Sequence, residues 1–202
     1  MTTAADLIDL ATGLLEDPGN DVWGRTELLG YLNDGLKYLA SKRPAEFVAS
    51  EVVELAEGSK QSLPAGSIAV VRPICNMDGT GTVRGRSIRF VDLNLLDASS
   101  PTWRTTSPGE TRQLALSPDP RSEFWVSPPA DAGSKIELMV ERDPVVHTQG
   151  TTLEVDAKWH PALINYMVSR ALSKDSEYAQ DGKAAAFLQV FMNQVEPPVE
   201  PQ

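Results

Sequence analysis

Residues 26–43 have the sequence TELLGYLNDGLKYLASKR, and this stretch decides the fold. Its apolar residues recur every three or four positions, as in an amphipathic helix, and form one stripe: Leu28, Leu29, Leu32, Leu36, Leu39 and Ala40. Thr26 is a candidate N-cap, and Pro44 ends the helix. Tyr31 and Tyr38 flank the stripe, so we expect them either to contact another helix or subunit or simply to shield the core edge.

The same periodicity predicts three further helices. The first covers residues 3–16, with one apolar face: Leu7, Leu10, Ala11, Leu14 and Leu15. Two more follow the middle of the chain, one starting near Pro161 and one capped by Asp175 or Ser176. Each terminal pair of helices has an apolar face that it cannot bury alone, so we expect the two pairs to pack together.

Residues 47–156 have a different character, with frequent Pro and Gly and with β-branched residues alternating with polar ones. Candidate strands are 48–55, 68–75, 83–91, 112–116, 122–127, 135–141 and 151–155, separated by turn sequences that include 56–58 and 117–120. Residues 92–98 are a candidate short helix. The predicted fold class is α+β. A helical bundle from residues 1–46 and 157–195 carries an antiparallel β barrel or sandwich insertion, residues 47–156, and an extended Pro-rich tail, residues 196–202.

The charge of the chain limits its partners. Its 202 residues carry a net charge of −10, which argues against gripping DNA through phosphate contacts or docking on an anionic membrane. The single cysteine, Cys75, excludes an internal disulfide and suits a reducing cytoplasm. Residues 1–6 have no basic stretch and no apolar run, so we expect that they are not a signal peptide. No run approaches the roughly 18 apolar residues of a membrane helix, so we expect a soluble protein.

Catalytic chemistry has no recognisable pattern in this sequence. His147 and His160 lack partners at metal-ligand spacing, and no nucleophile elbow or phosphate-binding loop occurs. Gly79-Thr80-Gly81 lacks the third glycine of a dinucleotide fingerprint, because Arg84 stands in its place. We therefore predict no catalytic, cofactor-binding or metal-binding residues, and no enzyme.

Two segments are candidate partner interfaces. Arg84, Arg86 and Arg89 lie on one predicted strand, where they either pair with acidic groups on a neighbouring subunit, touch passing DNA, or protect the strand from edge pairing. Pro197, Pro198 and Val199 lie in the tail, which is either a frayed end or an arm that orders on a partner, with Val199 as its anchor.

A series of short motifs, in order along residues 20–195, resembles the head-to-tail adaptor, or neck, proteins of short-tailed bacteriophages. The motifs are WGRTELLGYLNDG (23–35), RP (43–44), QSLP (61–64), GRSIR (85–89), VDLNLLD (91–97), PTW (101–103), FWVSPP (124–129) and RALSKDSEYA (170–179). The resemblance implies a structural virion protein of the neck, assembled in the bacterial host cytoplasm. It implies a ring, usually twelve-fold, that contacts the portal above and the tail nozzle below while double-stranded DNA passes through.

The resemblance and the charge together suggest a mechanism. An acidic channel lining would repel DNA phosphates, since like charges interact over about 8–10 Å in physiological salt. We expect a free subunit that is monomeric and a tail that reaches the portal. The alternatives are a tail-tube or tail-completion protein, a host-directed binding module, or an unrecognised hydrolase.

Overall fold

A computed structural model describes residues 2–117, 123–174 and 178–196. The chain forms two compact units, one of Met1–Phe47 with Pro144–Gln202 and the other of Val48–Asp143. Five helices occur in the described residues: α1 Ala4–Leu14, α2 Arg25–Lys42, α3 Leu93–Ser99, α4 His160–Leu172 and α5 Asp181–Val195. All except α3 belong to the first unit, here called the helical unit. These helices, together with the eight strands of the second unit, confirm the predicted α+β class.

Local sequence explains how the first two helices begin. Thr3 and Asp6 form a capping box at α1, in which the Thr3 hydroxyl accepts from the Asp6 N–H at 3.2 Å and the Asp6 carboxylate accepts from the Thr3 N–H at 2.7 Å. The prediction that Thr26 caps α2 is wrong, because Gly24 occupies the N-cap. The Asp17 carboxylate instead orders the preceding connection by accepting three backbone N–H bonds, from Asp21 to Trp23.

Helices from both ends of the chain share one core in the helical unit, as the fold prediction requires. Four leucines of the α2 stripe are fully buried, while Leu29 and Ala40 at its edges are half-buried. The four pack with fully buried residues of α1, α4 and α5: Leu28, Leu32, Leu36 and Leu39 with Leu7, Ile8, Leu163, Met167 and Phe191. A Cβ at Gly35 would lie 3.0 Å from a ring carbon of Tyr166, so α2 and α4 approach closely there. The predicted α1 face is wrong at two positions, because the fully buried Ile8 replaces Leu10 and Leu14, which are 58% and 46% exposed.

The second unit, here called the β unit, contains eight described strands: β1 Val48–Glu54, β2 Gly58–Ser62, β3 Ser67–Met77, β4 Arg84–Ser87, β5 Arg89–Phe90, β6 Gln113–Leu116, β7 Glu123–Ala130 and β8 Lys135–Arg142. They form two four-stranded sheets with the orders β1-β8-β3-β4 and β2-β7-β6-β5. Neighbours pair antiparallel except β5 and β6, which are parallel. The barrel is not closed, and a sandwich-like insertion describes the unit. Its core is one apolar cluster, including Leu114, Phe124, Val126, Ile136 and Leu138.

Three strand predictions need correction. The segment 83–91 is two strands, because the chain leaves one sheet after Ser87 and joins the other at Arg89. Strand β2 occupies part of what the sequence predicts as a turn, with Gly58 at a φ of +103°. Residues 151–155 form no strand and make only the isolated bridge between Thr3 and Thr152, because backbone bonds to the start of α1 hold this segment in the helical unit.

Two predicted features cannot be placed. The candidate caps Asp175 and Ser176 lie outside the described residues, while α5 itself begins at Asp181. The turn predicted over residues 117–120 also lies largely outside them. The candidate helix over 92–98 is present as α3, and the Asp92 carboxylate caps it by accepting from the N–H groups of Asn94 and Leu95.

Candidate interaction surfaces

Arg84, the first of the three clustered arginines, is bound within the β unit. Its guanidinium donates two hydrogen bonds to the Glu137 carboxylate, at 2.7 and 2.6 Å. Glu137 is buried on β8 and also accepts from the Ser50 hydroxyl at 2.6 Å. Arg84 first, and then Ser50, lower the pKa of Glu137 from 4.5 to about 2. Arg84 therefore joins β4 to the centre of its sheet.

Arg86 and Arg89, in contrast, have exposed side chains and line a groove of about 820 Å³ in the β unit. Arg112 lines the same groove, because the backbone N–H of Arg89 donates to the carbonyl of Arg112 at 2.9 Å. None of these three arginines forms an ion pair with a carboxylate among residues 2–117, 123–174 and 178–196. We call this feature the arginine groove.

Tyr31 and Tyr38 are half-buried in the helical unit, and both side chains have partners there. The Tyr31 hydroxyl donates to Glu27 at 2.8 Å, and burial, followed by this carboxylate, raises the pKa of Tyr31 to about 12. The Tyr38 hydroxyl donates to the Met192 sulfur at 3.1 Å, and its ring lies 5.3 Å from that of Phe191. The Arg170 guanidinium of α4 lies 5.7 Å from the centre of the Tyr31 ring, so both tyrosine rings contribute to packing between α2 and the C-terminal helices.

The predicted tail residues Pro197, Pro198 and Val199 lie outside the described residues, whose last member is Glu196. The Arg43 guanidinium donates to the Val195 carbonyl at 2.8 Å, and Lys42 pairs with Glu196 at 2.6 Å. The end of α5 is therefore fastened to the end of α2.

Exposed apolar side chains form a second kind of surface, which the sequence prediction missed. In the helical unit they include Leu10 and Leu14 on α1, Leu188 and Val190 on α5, and Val145 and Val146 before α4. The signal was present in α1, since its apolar residues cover more than one helical face and cannot all be buried on a single side. In the β unit, Val71 and Phe90 are exposed and line a second groove of about 740 Å³.

Two titratable groups that could carry chemistry, Cys75 and His147, are buried. Burial, with Glu137 beside it, raises the pKa of the Cys75 thiol and so disfavours the reactive thiolate. Burial lowers the pKa of His147. The Asn33 side-chain amide bonds both backbone groups of this residue, donating to its carbonyl and accepting from its N–H. Within the described ranges, no group of three or more His, Cys, Asp or Glu residues is placed to hold a metal ion. No helix in this part of the chain is long and apolar enough to cross a membrane.

Comparison with known proteins identifies the family of the chain. The search of curated proteins gives no match. A family model described as SU10 adaptor protein matches residues 2–196, which include all the described helices and strands of both units. The family is one of structural phage adaptors, which implies a place in the virion neck and interaction with portal and tail proteins. On this match, the chain belongs to the SU10 adaptor protein family.

Proposed function

We propose that this chain is a head-to-tail adaptor subunit that forms a ring below the portal, joins the portal to the tail, and contributes to the DNA channel. The observation that carries the proposal is the family match over residues 2–196. In this proposal the ring is a dodecamer. It assembles on the portal in the bacterial host cytoplasm and remains in the neck of the virion.

The helical unit supports a ring because it exposes two different apolar surfaces. One is formed by Leu10 and Leu14, which lie four residues apart on α1, and the other by Leu188 of α5. A contact between two unlike surfaces is heterologous, and repeating it around an axis closes a ring when the rotation fits. Each of these leucines is 41–58% exposed, so burying the rest of its side chain is worth about 0.6–1.7 kcal/mol. Together they can support assembly once the portal aligns the subunits.

The distribution of charge supports a role beside DNA. The helical unit contains eight Lys and Arg and fifteen Asp and Glu residues, a net charge of −7, whereas the β unit has ten and thirteen, a net charge of −3. A channel lined by the helical unit would repel the phosphates and let the duplex slide, since like charges act over about 8–10 Å at physiological ionic strength. The Pro-rich tail is proposed as an arm that orders on the portal, with Val199 as its apolar anchor.

Mixing the purified protein with the portal of its own phage and imaging the product by electron microscopy tests this function. We expect a ring stacked on one face of the portal. A Leu188→Asp variant should lose the ring, while Leu95→Asp, which changes a still more exposed leucine (64% against 41%) on the β-unit helix α3, should keep it. Binding to the end of a tail tube without any portal binding would instead establish the tail-completion alternative.

A further inference from the structure

The arginine groove is a positive site on an acidic protein. Arg86, Arg89 and Arg112 line it, and Glu110 is its one acidic lining residue among those described. The groove thus carries a local net charge of about +2 at pH 7 in a chain whose overall charge is −10. Hydroxyl and amide groups complete the polar lining, including those of Ser87, Ser127 and Gln113.

The arginine groove lies at the edge strands of the two sheets, where an extended partner chain has access to it. β4 and β5 are the terminal strands of their two sheets, so each has a strand neighbour on one side only within the described residues. All four residues of β4 are exposed, and so are both residues of β5. Arg86 and Arg89 are three residues apart, so their backbones are separated by at most about 10 Å.

The positive charge of the arginine groove determines which kind of molecule can bind along it. A second copy pairing through its own β4 would place arginine against arginine, which is unfavourable. Duplex DNA would meet only three unpaired arginines on a strongly acidic chain, too few to offset the repulsion of its phosphates. Carboxylates match guanidinium groups in charge and in their two-pronged geometry, and a concave site excludes some of the water that would otherwise screen them.

We propose that the arginine groove binds an extended acidic segment of another protein, with carboxylates on one face of that segment paired to Arg86, Arg89 and Arg112. This deepens the proposed adaptor function by naming the kind of partner the β unit takes. The Pro-rich tail of this chain is a poor occupant, because proline lacks the N–H that an added strand donates.

NMR spectroscopy of the arginine side chains of the ¹⁵N-labelled full chain tests this proposal directly. The probe is a capped peptide of four Glu-Ser repeats, added at low ionic strength, about 50 mM salt. We expect its addition to shift the Nε–H signals of Arg86, Arg89 and Arg112, and to leave that of Arg72 unchanged. Arg72 is the matched control because it is exposed on β3 outside the groove lining.

Substitution and competing probes complete the test. R86Q/R89Q should weaken peptide binding about tenfold, as expected for two partly exposed ion pairs, while R72Q should not change it. Equal or larger shifts on adding a short DNA duplex would overturn the proposal in favour of a phosphate-binding surface, and no shift with the acidic peptide would overturn it outright. A failure of the chain to bind its portal would refute the adaptor function while leaving this result standing.

Discussion

Replacing Gly35 by alanine tests whether helices from the two ends of the chain pack against each other. In a helix interior, Gly→Ala gains about 1 kcal/mol from helix propensity alone. At Gly35 this gain meets a steric obstacle, since the new methyl group would lie 3.0 Å from a ring carbon of Tyr166 and 3.3 Å from a methyl of Leu163. Overpacking of this kind costs about 1–3 kcal/mol, so we expect Gly35→Ala to destabilise the protein by about 0–2 kcal/mol.

Gly30 on the same helix provides the matched control. It is exposed, and a Cβ there would meet nothing within 4 Å, so Gly30→Ala should stabilise the protein by about 1 kcal/mol. Urea unfolding followed by circular dichroism at the helix band measures both variants, and the difference between them should be about 1–3 kcal/mol. If Gly35→Ala is as stabilising as Gly30→Ala, α2 and α4 do not approach as described, and the bundle built from both ends of the chain is wrong.

Two further predictions concern the β unit and the tail. The pKa of Glu137 is lowered from 4.5 to about 2, so its pairing stabilises the fold above pH 4.5, and this contribution is lost as the pH falls toward 2. Glu137→Gln should therefore make the urea midpoint less dependent on pH over that interval than in the wild type, and equal slopes would contradict the pairing. Deleting residues 197–202, while keeping Glu196 for its ion pair with Lys42, should leave the thermal midpoint unchanged and weaken cosedimentation with the portal. Undiminished portal binding by the truncated chain would remove the arm from the proposed function.

Periodicity predicts the helices well because each has to bury one apolar stripe. Residues 26–43 show this most clearly, since Leu28, Leu32, Leu36 and Leu39 are all fully buried in α2. The α1 sequence has more apolar side chains than its buried face can take, and the pattern cannot tell which will be left outside. Leu10 and Leu14 are left exposed because Leu7, Ile8 and Ala11 occupy the core.

The strands were harder to predict, because polar strands have no apolar alternation. Strand β2 has the sequence GSKQS and is specified mainly by its pairing with β7. The arginine groove could not be predicted from the sequence, because Arg112 lies beside Arg89 only through the parallel pairing of β5 with β6. Arg89 and Arg112 are 23 positions apart in the sequence, and no local motif specifies the strand pairing that brings them together.

The three arginines that the sequence groups together have separate tasks in the structure. A carboxylate as buried as that of Glu137 needs a charged or hydrogen-bonding partner, and removing that partner leaves an uncompensated charge in the sheet. Arg84 meets this need, so a substitution at Arg84 would disturb the fold and any interface together. Arg86 and Arg89 form no ion pair with a carboxylate among the described residues. The positive charge that a partner meets therefore comes from them and from Arg112. Substitutions at Arg86 and Arg89 can therefore separate partner binding from folding, which a substitution at Arg84 cannot do.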